Sequence, residues 1–122
     1  LEYQWGRVRY ATLRNNPTLA RLFRQNMQSL GRKMQLSDPS KAFGSTDMGN
    51  VSQIVPSIHP TVAIAPVEVA AHSPEFASAA ASEAGIKGLL DAAKALAMTV
   101  VDLVASPEIV IRIKQEFDKA ND

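Results

Sequence analysis

The segment from about Ala84 to Ala105 constrains the fold more than any other part of the chain. Apolar residues recur along it at intervals of three or four, the spacing of one helix face: Ile86, Leu89, Leu90, Ala93, Leu96, Ala97, Val100, Val101 and Val104. A membrane span needs about 18 continuous apolar residues, and charged residues interrupt this stretch: Lys87, Asp91, Lys94 and Asp102. Small side chains allow close backbone approach, so we predict that this helix lies against a sheet: Ala92, Ala93, Ala95 and Ala97.

Two further helices are predicted from their start signals. Asn16 can cap a helix whose first residue is Pro17, and Ser106 can cap one that begins at Pro107. Apolar residues follow at helical spacing in both: Leu19, Leu22, Phe23, Met27 and Leu30 in the first, and Ile109, Val110, Ile113 and Phe117 in the second. Gly31 suits a left-handed helix end. We therefore predict helices over 17–30 and 107–119.

The remaining chain is predicted to be strand or loop. Residues 58–65 contain an apolar run that indicates a short buried strand near 61–65. The alternation at 8–10 indicates a second strand, which needs neighbours that the sequence does not supply. Residues 35–50 are predicted to be loop and 66–83 a connector. Helices together with strands make the predicted fold class α/β.

Composition and charge narrow the class of protein. A chain of 122 residues fits one domain. Thirteen Lys and Arg against twelve Asp and Glu give a net charge of +1. This balance does not indicate the concentrated basic surface that a nucleic-acid-binding domain carries. The absence of cysteine excludes a disulfide framework and a thiolate zinc site, and it fits the cytoplasmic location that we predict. We expect neither a nucleic-acid nor a membrane partner. The chain begins at Leu1 with "LEYQWGRVRYATL", so we expect a fragment of a longer protein.

Two stretches carry residues that could do chemistry. "GSTDMGNVSQIVPSIHP" contains Asp47 and His59, and "HSPEF" begins at His72. Taken alone, Asp47 fits an Asx-turn, His59 a structural histidine and His72 a lone surface histidine. The sequence has no HExxH motif, no GxSxG nucleophile elbow and no phosphate loop that ends in GK[ST]. These residues alone cannot assemble an active site.

The basic residues of the first helix and its end also allow two interpretations. They form either an anion-binding face or, as we favour, a solvated helix face: Arg21, Arg24, Arg32 and Lys33.

The order of four segments resembles the C-terminal third of the aminoacylase-like metallopeptidases. The segments are "NNPTLARLFRQNMQSLG", "GSTDMGNVSQIVPSIHP", "HSPEF" and "AAKALAMTVVDL". That family includes carboxypeptidase G and aminobenzoyl-glutamate hydrolase, and the resemblance is strongest to its dipeptidase branch. It implies an α/β, zinc-peptidase-like catalytic domain that carries an inserted α+β lid domain. It also implies two divalent metal ions, zinc by expectation, and a glutamate as general base.

The resemblance assigns roles to three residues of this chain. His72 stands where the family has its last metal ligand. Asp47 and Asn50 belong to the loop that faces the metal site, where they would orient neighbours or contact substrate. No catalytic residue is expected, because the general base and most ligands lie upstream of any segment that resembles this one.

The resemblance also divides the chain and implies a function. Residues 1–13 would end the lid or dimerisation domain, through which the parent could form a homodimer. Residues 14–122 would be the connecting helix and the C-terminal part of the catalytic domain. The parent would hydrolyse the amide bond of small N-acyl amino acids or dipeptides. This chain alone would be inactive and would hold no metal stably. The alternative is a non-catalytic packing or dimerisation module, which an HxD motif and a Glu-Glu pair upstream of Leu1 would exclude.

Overall fold

A computed structural model describes residues 1–4, 6, 9–34 and 45–120. These residues form helices connected by irregular segments. The helices are α1 (Pro17–Ser29), α2 (Met48–Ser52), α3 (Pro74–Ala80), α4 (Glu83–Ala105) and α5 (Pro107–Lys119). No helix in this part of the chain is long and apolar enough to cross a membrane.

The three helices predicted from sequence are confirmed as α1, α4 and α5. Asn16 caps α1, since its Oδ1 accepts a hydrogen bond from the Leu19 backbone N–H at 3.0 Å. Gly31 follows α1 with φ of +80°, the left-handed conformation that glycine adopts without a steric penalty. Ser106 precedes α5, but its side chain makes no capping hydrogen bond.

The two short helices correct the predicted loops. α3 lies inside the predicted connector 66–83, and Ser73 caps it by accepting a hydrogen bond from the Phe76 backbone N–H at 3.1 Å. α2 begins inside the predicted loop 35–50, so that prediction is wrong from Met48 onward. Residues 35–44 lie outside the described part of the chain.

The strand prediction near 61–65 is wrong for this chain. Across the described ranges the structure has one isolated parallel bridge, between Asn15 and Ser57, and no ladder. Apolar content alone does not make a strand, because a strand also needs a neighbour for its backbone groups. Ile58 and Val62 instead pack their side chains on the helical core. The predicted strand at 8–10 includes Val8, which lies outside the described residues.

The core lies between α1 and α4. Phe23 and Met27 of α1 and Ala95 of α4 are buried, and partly buried apolar side chains surround them: Leu30, Met34, Ile58 and Val62. α4 also contacts α3 and α5. Whether another face of α4 lies against a sheet, as an α/β fold requires, stays a prediction.

Polar side chains fix how the helices sit on one another. The Asn26 side-chain amide of α1 donates to Thr99 Oγ1 at 3.1 Å and to Asp102 Oδ2 at 2.8 Å, both on α4. Thr18 donates to the Glu116 carboxylate of α5 from its hydroxyl at 2.7 Å and from its backbone N–H at 3.0 Å. Helix rotation is therefore specified by hydrogen bonds as well as by apolar packing.

Candidate functional site

His72 lies in an exposed position directly before the first turn of α3. Its φ is +64°, which makes it the one non-glycine residue with a positive φ among those the structure describes. This left-handed conformation costs roughly 1–2 kcal/mol for an ordinary residue, although histidine adopts it more readily than most. Such backbone strain is concentrated at functional positions in proteins. His72 is also the residue that the resemblance assigns to a metal ion, and that assignment stays a prediction.

Asp47 precedes α2 and is exposed. Its side chain makes no capping hydrogen bond, so it forms no Asx-turn. Thr46 caps instead, because its hydroxyl accepts a hydrogen bond from the Met48 backbone N–H at 3.3 Å. The turn therefore does not depend on the Asp47 carboxylate.

Asn50 uses both ends of its side-chain amide on the backbone of an earlier segment. Its Oδ1 accepts a hydrogen bond from the Ala11 N–H at 2.8 Å, and its Nδ2 donates to the Arg9 carbonyl at 2.9 Å. These contacts imitate the pair of hydrogen bonds that a neighbouring strand would provide. The amide is thus committed to holding the chain at residues 9–11.

Three further residues in or beside α2 lie against the same segment. Ser52 is fully buried and accepts a hydrogen bond from the Arg14 N–H at 3.0 Å. Gln53 donates from its side-chain amide to the Thr12 carbonyl at 2.6 Å. Gly49 lies so close that a Cβ atom placed on it would be 1.9 Å from the Ala11 carbonyl oxygen. We call these four residues, Gly49, Asn50, Ser52 and Gln53, the α2 clamp.

His59 is exposed and connects two loops. Its backbone N–H donates to Asn15 Oδ1 at 3.2 Å, and its Nδ1 lies 3.4 Å from Thr46 Oγ1. These contacts agree with the structural role predicted for it, at the surface rather than inside a strand.

In the part of the chain described, no side-chain hydrogen bond or ion pair links the three assigned residues to one another. No group of three or more His, Asp or Glu that could hold a metal ion occurs among those residues. His72 makes no hydrogen bond or ion pair with Asp47 or Asn50 there. The described residues therefore offer His72 as a single candidate donor, which does not constitute a metal site.

The basic residues of α1 and its end are partly used in ion pairs. Arg32 Nε lies 2.8 Å from Asp91 Oδ2, and Lys87 Nζ lies 3.1 Å from the same oxygen. Arg21 lies 3.3 Å from Glu116 Oε1. Arg21 and Arg32 thus pair with carboxylates of the chain, which neither interpretation predicted, and the solvated face stays a prediction for Arg24 and Lys33.

Sequence reasoning missed the role of Asp91, which is 5% exposed. Hydrogen bonds from Arg32, and next from Lys87, hold the pKa of Asp91 below the ordinary value of 3.8 against the opposing effect of burial. A charge within an apolar helix pattern was the available signal. Its partner Arg32 is 59 residues away in sequence, which local patterns do not reveal.

Comparison with known proteins gives two curated relatives. The chain is 37% identical over 107 residues to the Xaa-Arg dipeptidase of Mus musculus, an alignment that covers 84% of this chain and 24% of that protein. It is 34% identical over 122 residues to the Xaa-Arg dipeptidase of Homo sapiens, which covers 96% of this chain and 27% of that protein. No protein-family model matches. The chain thus spans about a quarter of the length of these curated relatives.

Proposed function

Because the chain belongs to the same family as the Xaa-Arg dipeptidases, we propose that it is the C-terminal part of a metal-dependent dipeptidase. The parent enzyme would hydrolyse the amide bond of dipeptides or small N-acyl amino acids. The observation that carries this proposal is the alignment, which covers most of this chain but only about a quarter of each relative. Dipeptides that end in arginine are the first substrates to test, given the relatives' name.

His72 is the residue that this chain would contribute to a metal site. It is exposed, and its left-handed backbone lies directly before Ser73, the N-cap residue of α3. A neutral imidazole nitrogen is a common ligand of divalent metals. In such enzymes the metal ions lower the pKa of a bound water and polarise the carbonyl group. The described residues supply no complete donor set, so the other ligands would come from the rest of the parent.

Asp47 is a better candidate than Asn50 for a role near the substrate. Both Asn50 side-chain groups are already bonded to the backbone at Arg9 and Ala11. The Asp47 carboxylate is exposed and takes no part in capping α2. It is therefore available to orient a ligand or a substrate amine that other parts of the parent bring near.

The remaining assignments are also proposals about the parent. We propose two divalent metal ions, with zinc as the expected metal, and a cytoplasmic location. Residues 1–13 would end a lid domain through which two copies associate. The alternative, a non-catalytic packing module, is an outcome of the experiment below.

Replacing His72 by alanine in the full-length parent tests the proposal. We expect His72→Ala to lower the metal content per chain and to reduce dipeptide hydrolysis by at least about 100-fold. Loss of a residue that only hydrogen-bonds a metal ligand already lowers metal affinity or activity by about 10–100-fold. His59→Ala is the matched control, because His59 is the other histidine, is also exposed and has no assigned metal role. Metal content is measured by elemental analysis of the same samples used for kinetics.

Two results would contradict the assignments. Full activity and full metal content in His72→Ala would show that His72 is an ordinary surface residue. A full-length parent that binds no metal and cleaves no dipeptide would favour the packing module.

A further inference from the structure

The two faces of α4 have the opposite character to those of an ordinary surface helix. The face turned towards the rest of the described chain is buried and built from small or polar residues: Gly85, Gly88, Asp91, Ala95 and Thr99. The face turned away is exposed and built from large apolar residues: Ile86, Leu89, Leu90, Leu96, Val100, Val101 and Val104. We call this second set the outer face of α4. A surface helix normally turns its large apolar residues inward.

The outer face is extensive and uniform. Its seven side chains are between 51% and 79% exposed. They recur at helical spacing from Ile86 to Val104, which is about 28 Å of helix. Monomeric soluble proteins rarely leave a continuous apolar patch larger than a few hundred Å² in water, and larger patches mark interaction surfaces.

Rotation of α4 cannot bury this face within the described chain. The Asn26 side-chain amide of α1 donates hydrogen bonds to Thr99 and Asp102 near the last turns of α4. Arg32, which follows α1, donates to the buried Asp91 carboxylate in the first half of α4. Turning the outer face inward would break these contacts, and it would leave the Asn26 amide and the part-buried Arg32 guanidinium without their partners on α4.

We propose that the outer face of α4 is the surface on which the remaining part of the dipeptidase chain packs. This inference rests on the proposed function. The occupant is the part of the parent that corresponds to the roughly three quarters of each relative outside the alignment. A segment in the same polypeptide has the advantage of a high effective concentration over a second copy in solution. The large apolar outer face requires an apolar partner surface rather than a charged one.

Site-specific cysteine labelling of the full-length parent tests this assignment. This part of the chain has no cysteine, so Leu89→Cys and Val100→Cys place unique thiols on the outer face. Lys87→Cys is the matched control, since Lys87 lies on the same helix, beside the outer face, and its side chain is 66% exposed. Maleimide labelling is followed on the corresponding peptides by mass spectrometry.

We expect both outer-face thiols to react at least about 100-fold more slowly in the native parent than in urea, because reaction requires local opening. The control thiol should react within a few-fold of its rate in urea. Leu89→Cys that reacts as fast as the control in an active, native parent would overturn the inference while leaving the proposed function intact. Protection that appears only as protein concentration rises would assign the face to a second copy and would overturn it too.

Other outcomes would reject the proposed function, with or without the packing assignment. A parent that protects Leu89→Cys but cleaves no dipeptide would retain the packing assignment and reject the proposed function. A native protein that consists of these 122 residues and leaves both thiols reactive would reject both.

Discussion

Replacing Gly49 by alanine tests whether α2 holds residues 9–14 by direct backbone contact. The added Cβ would lie 1.9 Å from the Ala11 carbonyl oxygen and 2.9 Å from its carbonyl carbon. An acceptable C···O contact is about 3.3 Å or more, so α2 and the segment must separate by more than about 1 Å. Both Ala11 atoms belong to the backbone, and a rotamer change therefore cannot relieve the overlap.

The expected cost follows from the hydrogen bonds that this separation breaks. Asn50 makes two with the segment, and Ser52 and Gln53 make one each, at 2.6 to 3.0 Å. Each contributes about 0.5–1.5 kcal/mol net, so their loss costs roughly 2–6 kcal/mol. Alanine in place of glycine returns roughly 0.5–1 kcal/mol of helix preference. The difference spans about 1–5 kcal/mol. We expect Gly49→Ala to weaken the attachment of the segment by about 2–4 kcal/mol, the middle of that range.

Amide hydrogen exchange measures this attachment directly. The Ala11 and Arg14 amides donate to Asn50 and Ser52, so both should exchange about 30- to 1000-fold faster in Gly49→Ala, given tenfold per 1.4 kcal/mol. Gly31→Ala is the control, since a Cβ there meets nothing within 4 Å and only its φ of +80° is strained. Unchanged exchange at both amides in Gly49→Ala would refute the clamp.

Two further substitutions test the polar contacts. Asn50→Ala should destabilise the segment by about 1–3 kcal/mol, and Asn50→Asp, which keeps the acceptor for Ala11 N–H but loses the donor to the Arg9 carbonyl, should fall between alanine and wild type in the same exchange assay. Asp91→Asn should unfold at lower urea concentration than wild type at neutral pH. Because the folded pKa of Asp91 is lowered, its contribution is present above the unfolded value near 3.8 and is lost as the pH falls through the folded pKa. The difference in urea midpoint should therefore shrink below pH 3.8, and a difference that does not change with pH would argue against the ion pairs with Arg32 and Lys87.

The three longer helices were predictable because their signals are local. Apolar spacing and start residues such as Asn16-Pro17 lie within each segment itself. α3 carried the same signal, since Ser73-Pro74-Glu75 repeats the pattern of Ser106-Pro107-Glu108, but its seven residues hold no long apolar stripe. The capping pattern alone therefore indicated α3, although the segment has no run of large apolar residues at helical spacing.

Features that depend on distant residues could not be predicted. α2 has five residues, and its contacts reach a segment about 40 positions earlier. The apolar run at 61–65 predicted a strand, yet strand formation requires a neighbour that the run itself does not specify. The left-handed backbone of His72 also has no signature in its sequence neighbours. The candidate residues were identified by resemblance, and their surroundings required the structure.

The α2 clamp explains why residues 45–53 are so polar without invoking a ligand for most of them. Thr46 caps the helix, Asn50 and Gln53 bond the backbone of residues 9–12, and Ser52 is buried against Arg14 N–H. Each of these polar groups has a hydrogen-bond partner within the chain, so the fold alone accounts for them. The Asp47 carboxylate is the charged group of this stretch, and neither capping nor the clamp accounts for it. Asp47 is therefore the candidate for orienting the substrate. Asp47→Asn in the full-length parent should change catalysis while leaving the hydrogen exchange of the Ala11 amide unchanged.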